Sequence, residues 1–63
     1  MNYSLVTIRG VRERLERFVQ TYELDVLSET PVEIHGLLPD DQIDLAREDG
    51  YDVQVMGHLV VSV

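Results

Sequence analysis

The 63-residue chain has no cysteine and no lysine, and no stretch of it approaches the length of an apolar membrane span. Without cysteine there is neither a disulfide framework nor a thiolate zinc site, the usual supports of a very small domain. A chain of this length folds as one domain, residues 1–63, and buries only about 60% of the surface its unfolded form exposes. Marginal stability is therefore expected, with partner contact as the natural substitute for a larger core. The lack of lysine leaves five arginines against twelve acidic residues, a formal charge of -7. Phosphate neutralisation requires clustered positive charge, and the only cluster, Arg9, Arg12, Arg14 and Arg17, is interleaved with Glu13 and Glu16. Nucleic acid is thus not an expected partner. A membrane span needs roughly 20 apolar residues, so no membrane is expected either. The start Met1-Asn-Tyr-Ser lacks the basic and apolar regions of a signal peptide, which makes the cytoplasm the expected compartment.

Signatures of catalysis are equally sparse. His35 and His58 are the only histidines, and no spacing such as His-x3-His brings ligands together, so they read as a strand-face histidine and a turn histidine. Asp40, Asp41 and Asp44 lack the glycine and glutamate positions of a calcium loop and are better explained as complements to a helix dipole. Ser4, Ser28 and Ser62 have no activating context, and Gly10 and Gly36 are isolated rather than part of a phosphate loop. No catalytic residue, metal or cofactor is expected.

What the chain does contain is an internal echo. Val6-Thr-Ile8-Arg-Gly10 returns as Val32-Glu-Ile34-His-Gly36, and each copy leads through a polar, helix-like stretch to an Asp-Val pair, Asp25-Val26 and Asp52-Val53. The copies span residues 5–27 and 31–56. Alternation of Val6 and Ile8 predicts a strand over residues 3–9. Val11, Leu15, Phe18, Val19 and Tyr22 recur at intervals of three and four and predict an amphipathic helix. A short strand at 24–27, a turn at 28–31 and a third strand at 32–36 follow. Pro39 opens a second helix, Gly50 ends it, and residues 51–56 form the fourth strand. The equivalent placing of Gly10 and Gly36 predicts one backbone need shared by two strand-to-helix junctions. Gly57-His58 reads as a two-residue hairpin turn leading to a fifth strand, 59–63.

The order β-α-β-β-α-β predicts an α+β two-layer sandwich of the ferredoxin-like, split βαβ type, with both helices on one face of an antiparallel sheet. The fifth strand would be an addition to that plan. Val6, Ile8, Leu24, Val26, Val32, Ile34, Tyr51, Val53 and Val55 are expected to face helices that supply Val11, Leu15, Phe18, Ile43 and Ala46. The other sheet face is left open and is more apolar than a solvated face needs. Candidate partner-binding residues on it and on the last strand are Tyr3, Leu5, Arg9, Leu27, His35, Gln54, Met56, His58, Leu59 and Val61.

Over residues 5–56 the chain resembles the ferredoxin-like pro-segments of bacterial secreted peptidases, the zinc metallocarboxypeptidases especially. The resemblance lies in Val32-Glu-Ile-His-Gly, in the helix ending Leu45-Ala-Arg-Glu-Asp-Gly-Tyr51, in Val53-Gln-Val55, and in Leu24-Asp-Val26 after the first helix. It implies a non-catalytic domain that inhibits a peptidase, assists its folding or recruits it by covering its cleft. A freestanding relative would bind its partner in trans. The competing expectation is a self-assembling or regulatory domain that forms a homo-oligomer by pairing edge strands, with a small ligand at the interface.

Overall fold

A computed structural model describes the backbone of residues 2–60 and the side chains of residues 2–58. The chain is a small α+β domain whose elements run β1 (Asn2–Arg9), α1 (Arg12–Thr21), β2 (Asp25–Glu29), β3 (Glu33–Pro39), α2 (Asp40–Glu48) and β4 (Asp52–Val60). The strands form one antiparallel sheet in the order β2-β3-β1-β4, so β1 and β3 are central. Strand alternation puts Ser4, Val6 and Ile8 of β1 on one face. Together with Ile34, Leu38 and Val53 they bury against Leu15, Phe18 and Tyr22 from α1 and its end, Leu24, and Ile43 and Ala46 from α2.

Each helix forms for local reasons. In α1 the spacing of Leu15, Phe18 and Tyr22 gives one buried stripe, and no side chain caps its start at Val11. In α2, Asp40 and Asp41 complement the positive end of the dipole, and Arg47 lies in the last turn. Gly50, with φ of 90°, ends α2 in a Schellman motif. Its N–H bonds the Arg47 carbonyl at 3.0 Å, and the Tyr51 N–H bonds the Ala46 carbonyl at 3.1 Å. The far ends of the two helices are tied by an aromatic group. Phe18 lies 4.8 Å from Tyr22 and 4.9 Å from Tyr51 between ring centroids, and the Arg14 guanidinium covers Tyr51 at 4.6 Å. The Tyr22 hydroxyl donates to Asp49 Oδ2; this hydrogen bond, aided by burial, pushes its pKa up to about 12.

Several sequence expectations need correction. β3 runs on past Gly36 to Pro39, so Gly36 lies mid-strand opposite Val6 and Val26 while Gly10 lies between β1 and α1. The two glycines therefore share no backbone role. A Cβ on Gly36 would fall under 3.0 Å from the Asp25 carbonyl oxygen, so glycine is there to let β2 approach. Gly57-His58 is not a turn. It continues β4 and pairs with Leu5 and Ser4, because β1 extends back to Asn2 and offers it a ladder. Leu59 and Val60 likewise belong to β4, and residues 61–63 of the expected fifth strand lie outside the described residues. Val11, Val26 and Val32, expected in the core, are exposed, and Tyr22 and Leu38 contribute in their place.

The two edge strands each carry one irregularity. On β4 the register with β1 shifts between Leu5 and Val6, leaving Met56 as the additional residue; on β2 the shift against β3 leaves Leu27. The direction of each edge residue follows from one hydrogen bond. Gly10 donates to the Val32 carbonyl at 3.0 Å, which continues the β1/β3 ladder, so even-numbered β1 residues bond β3 and odd-numbered ones bond β4. Val53 and Val55, opposite Ile8 and Val6, therefore turn their N–H and C=O away from the sheet. By the same parity Val26 and Glu29, opposite Gly36 and Ile34, face outward on the β2 side. The Arg47 guanidinium fills one of these positions, donating from Nε and Nη2 to the Val53 carbonyl at 3.3 and 3.1 Å. It guards the start of the β4 edge against strand addition.

Candidate functional site

The sheet face opposite the helices is built from the odd-numbered residues of β1 and the residues paired with them. Tyr3, Leu5, Thr7 and Arg9 form its central row, with Glu33, His35 and Leu37 from β3 on one side and Asp52 and Gln54 from β4 on the other. The face divides into two ends. At one, Leu5 is opposite Leu37, and Tyr3 lies beyond it; Leu5 is 37% exposed. At the other, Glu33 bridges two bases: its Oε1 is 3.2 Å from Arg9 Nε and its Oε2 is 3.3 Å from His35 Nε2. His35 Nδ1 is 2.9 Å from Thr7 Oγ1. With the Nε2 proton directed at Glu33, a neutral His35 accepts the Thr7 hydroxyl proton.

Hydroxyl, imidazole and carboxylate thus stand in the connectivity of a nucleophile, a base and its orienting acid. The surroundings differ from those of such a site. Thr7 is only 5% exposed between its flanking strands, and the backbone N–H groups of a central strand are committed to the ladders. The arrangement is a cross-strand polar ladder that fixes the orientation of Arg9 and His35.

A second polar group lies on the helix side. Ser4, fully buried, donates to Asp40 Oδ1 at 2.5 Å, and its Oγ is 3.0 Å from His58 Nδ1. A hydroxyl donates once, so His58 Nδ1 carries the proton it gives to Ser4. The serine stands between the other two, the order that fails to activate it. Its role is to bind the start of α2 to β1 and β4.

Of the sequence-predicted partner-binding residues, the structure brings Tyr3, Leu5, Arg9, His35 and Gln54 onto one face. Leu27 and Met56 are the bulge residues of opposite edges, 59% and 63% exposed. His58 does not join the open face, since its ring bonds Ser4 on the helix side. Leu59 pairs through its backbone with Tyr3, and Val61 lies outside the described residues. Thr7, Glu33, Leu37 and Asp52 lie on the same face. Leu37 went unassigned because the strand was expected to stop at Gly36. Three of the four clustered arginines are engaged inside the molecule: Arg9 with Glu33, Arg12 with Glu16 at 3.3 Å, and Arg14 on Tyr51.

Among the described residues no group of three or more histidines or acids is placed to hold a metal ion, and no helix is long and apolar enough to cross a membrane. A concavity of about 690 Å³ lies between α1 and β2. Comparison with protein-family models, with curated proteins and with solved structures finds no match to this chain.

Proposed function

We propose that the chain is a non-catalytic protein-binding module on the ferredoxin-like, split βαβ plan, acting through its open sheet face. The order of elements and the arrangement β2-β3-β1-β4 support the plan. The observation that carries the binding reading is the two-ended face: Leu5 and Leu37 side by side with Tyr3 beyond, next to the Arg9-Glu33-His35 ladder. An apolar patch beside oriented charges has the anatomy of an interface core and its rim. In this reading the domain inhibits a peptidase, assists its folding or recruits it, as the resemblance to peptidase pro-segments implies.

The test is a pair of glutamate substitutions, Leu5→Glu with Met56→Glu, on exposed positions that the core does not use. Protein recovered with the parent domain from the source cells should be lost with the double variant, at an unchanged circular dichroism spectrum. Equal recovery by both removes the open face from consideration. Inhibition of a purified metallocarboxypeptidase by the parent domain, absent for the double variant, would identify the partner class. A stable dimer of the parent domain that the double variant leaves intact would favour self-assembly through an edge.

A further inference from the structure

The groove between α1 and β2 is lined by the apolar Leu15, Val19, Val26 and Ile34 and by polar side chains, Arg12, Glu16 and Glu29 among them, and Val19 and Val26 are partly open to solvent. Its volume of about 690 Å³ lies within the range of small binding clefts. One wall is the outer edge of β2, where Val26 and Glu29 direct backbone N–H and C=O groups outward, as the ladder parity requires. The carbonyl at the start of the β4 edge is filled by Arg47, and no side chain does the same for Val26 or Glu29 among the described residues. A cleft with apolar side chains in its lining beside outward-facing strand groups is the arrangement in which an added strand pairs its backbone with the edge and seats alternate side chains in the cleft. A helix has no backbone groups to offer such an edge.

Charge decides the occupant. β2 and its approach carry Glu23, Asp25 and Glu29 and no base. Arg12 on the opposite wall is paired with Glu16. A second copy pairing β2 against β2 would oppose these carboxylates to themselves, in a chain already at -7. We propose that this groove binds an extended, basic segment of another protein, which adds a strand to β2 and inserts apolar side chains between α1 and the sheet. The bulge at Leu27 shortens the usable edge, so the added strand is brief and the seated side chains carry most of the affinity. The groove lies on the helix side of the sheet, and its use is independent of the open face.

The probe is a synthetic twelve-residue peptide alternating valine and arginine, followed by amide chemical shifts of the labelled domain. Its expected effect is saturable shifts at Val19, Val26 and Glu29 in the micromolar range, with the open-face residues unmoved. The same peptide with glutamate for arginine should bind at least tenfold more weakly. Val26→Pro removes an outward N–H without touching a ladder bond and should abolish binding. Glu29→Lys, a surface change, should weaken it several-fold and serves if the proline variant fails to fold. Leu5→Glu with Met56→Glu should leave it unchanged, which separates this site from the open face. Equal binding of the acidic peptide, shifts confined to β4 or the open face, or no shift at millimolar peptide would each overturn the proposal. So would a dimer of the parent domain that Val26→Pro dissolves, since a second copy would then be the occupant.

Discussion

Replacing Gly36 by alanine sets two effects of opposite sign against each other. Glycine inside a strand costs roughly 0.5–1 kcal/mol relative to alanine through chain entropy, so an unconstrained site would gain stability from the change. At Gly36 the new methyl group would fall under 3.0 Å from the Asp25 carbonyl oxygen, and 3.1 Å from both the Asp25 carbonyl carbon and Leu24 Cδ1. Two of those atoms are backbone and cannot rotate away. Restoring van der Waals contact moves β2 outward by roughly an ångström. That strains the Asp25/Leu37 pairing, where each hydrogen bond is worth about 1 kcal/mol. Overpacking of this kind costs about 1–3 kcal/mol, so the net expectation is a loss of about 1–2 kcal/mol. For a domain of this length the total is about 3–9 kcal/mol, and the melting temperature should fall by roughly 4–16 °C. Urea denaturation followed by circular dichroism measures it. A Gly36→Ala domain as stable as its parent, or more so, would refute the close approach of β2 to β3 from which the argument proceeds.

Other glycines supply contrasts. Gly50→Ala should cost about 1 kcal/mol in the same assay because its φ of 90° is left-handed, whereas Gly57→Ala, whose added Cβ meets nothing within 4 Å, should be neutral or slightly stabilising. The Tyr22 phenol has its pKa raised to about 12 in the folded chain, above its ordinary value of 10.0. Its contribution is therefore complete below pH 10 and lost as pH rises toward 12, where the unfolded chain releases the proton first. Urea midpoints between pH 9 and 12 should fall more steeply for the parent than for Tyr22→Phe; parallel curves would disprove the Asp49 hydrogen bond as the cause. Arg47→Ala should uncover the Val53 carbonyl and raise self-association, read as concentration-dependent sedimentation. Unchanged sedimentation would show that Arg47 does not guard the edge.

The sequence carried the helices and the inner row of β1 plainly, because three-and-four spacing in α1 and alternation at Val6 and Ile8 are direct images of helix and strand geometry. Both Asp-Val pairs open strands, β2 and β4. Strand ends were harder to read. Gly36 and Gly57 carry the local signs of a junction and a turn, yet both pair with β1, and that pairing is a property of distant residues. Alternation placed Val26 on the helix side correctly but could not show that a groove beside α1 leaves it exposed, and the bulge at Met56 interrupts period two, so the inner row could not be carried past Val55. The open face was legible as a set of strand positions. The Glu33 bridge was not, since it depends on which side chains the register sets opposite each other. The groove beside β2 left no sequence signal beyond the exposed Val19 and Val26, residues that periodicity assigns to the interior.

The pairing of Asn2 with Val60 has a consequence for how the chain acquires its structure. β1 is the central strand, and its partners lie about 30 and 50 residues downstream. One edge of β1 therefore stays unpaired until β3 has been made, and the other until β4 has been made through residue 60. Closing such long loops is slow compared with helix formation, so α1 and α2 are expected to fluctuate into shape before the sheet closes. Through that interval Val6 and Ile8 lack their native cover, which makes β1, the strand that needs two distant partners, the one most exposed to premature pairing with other chains.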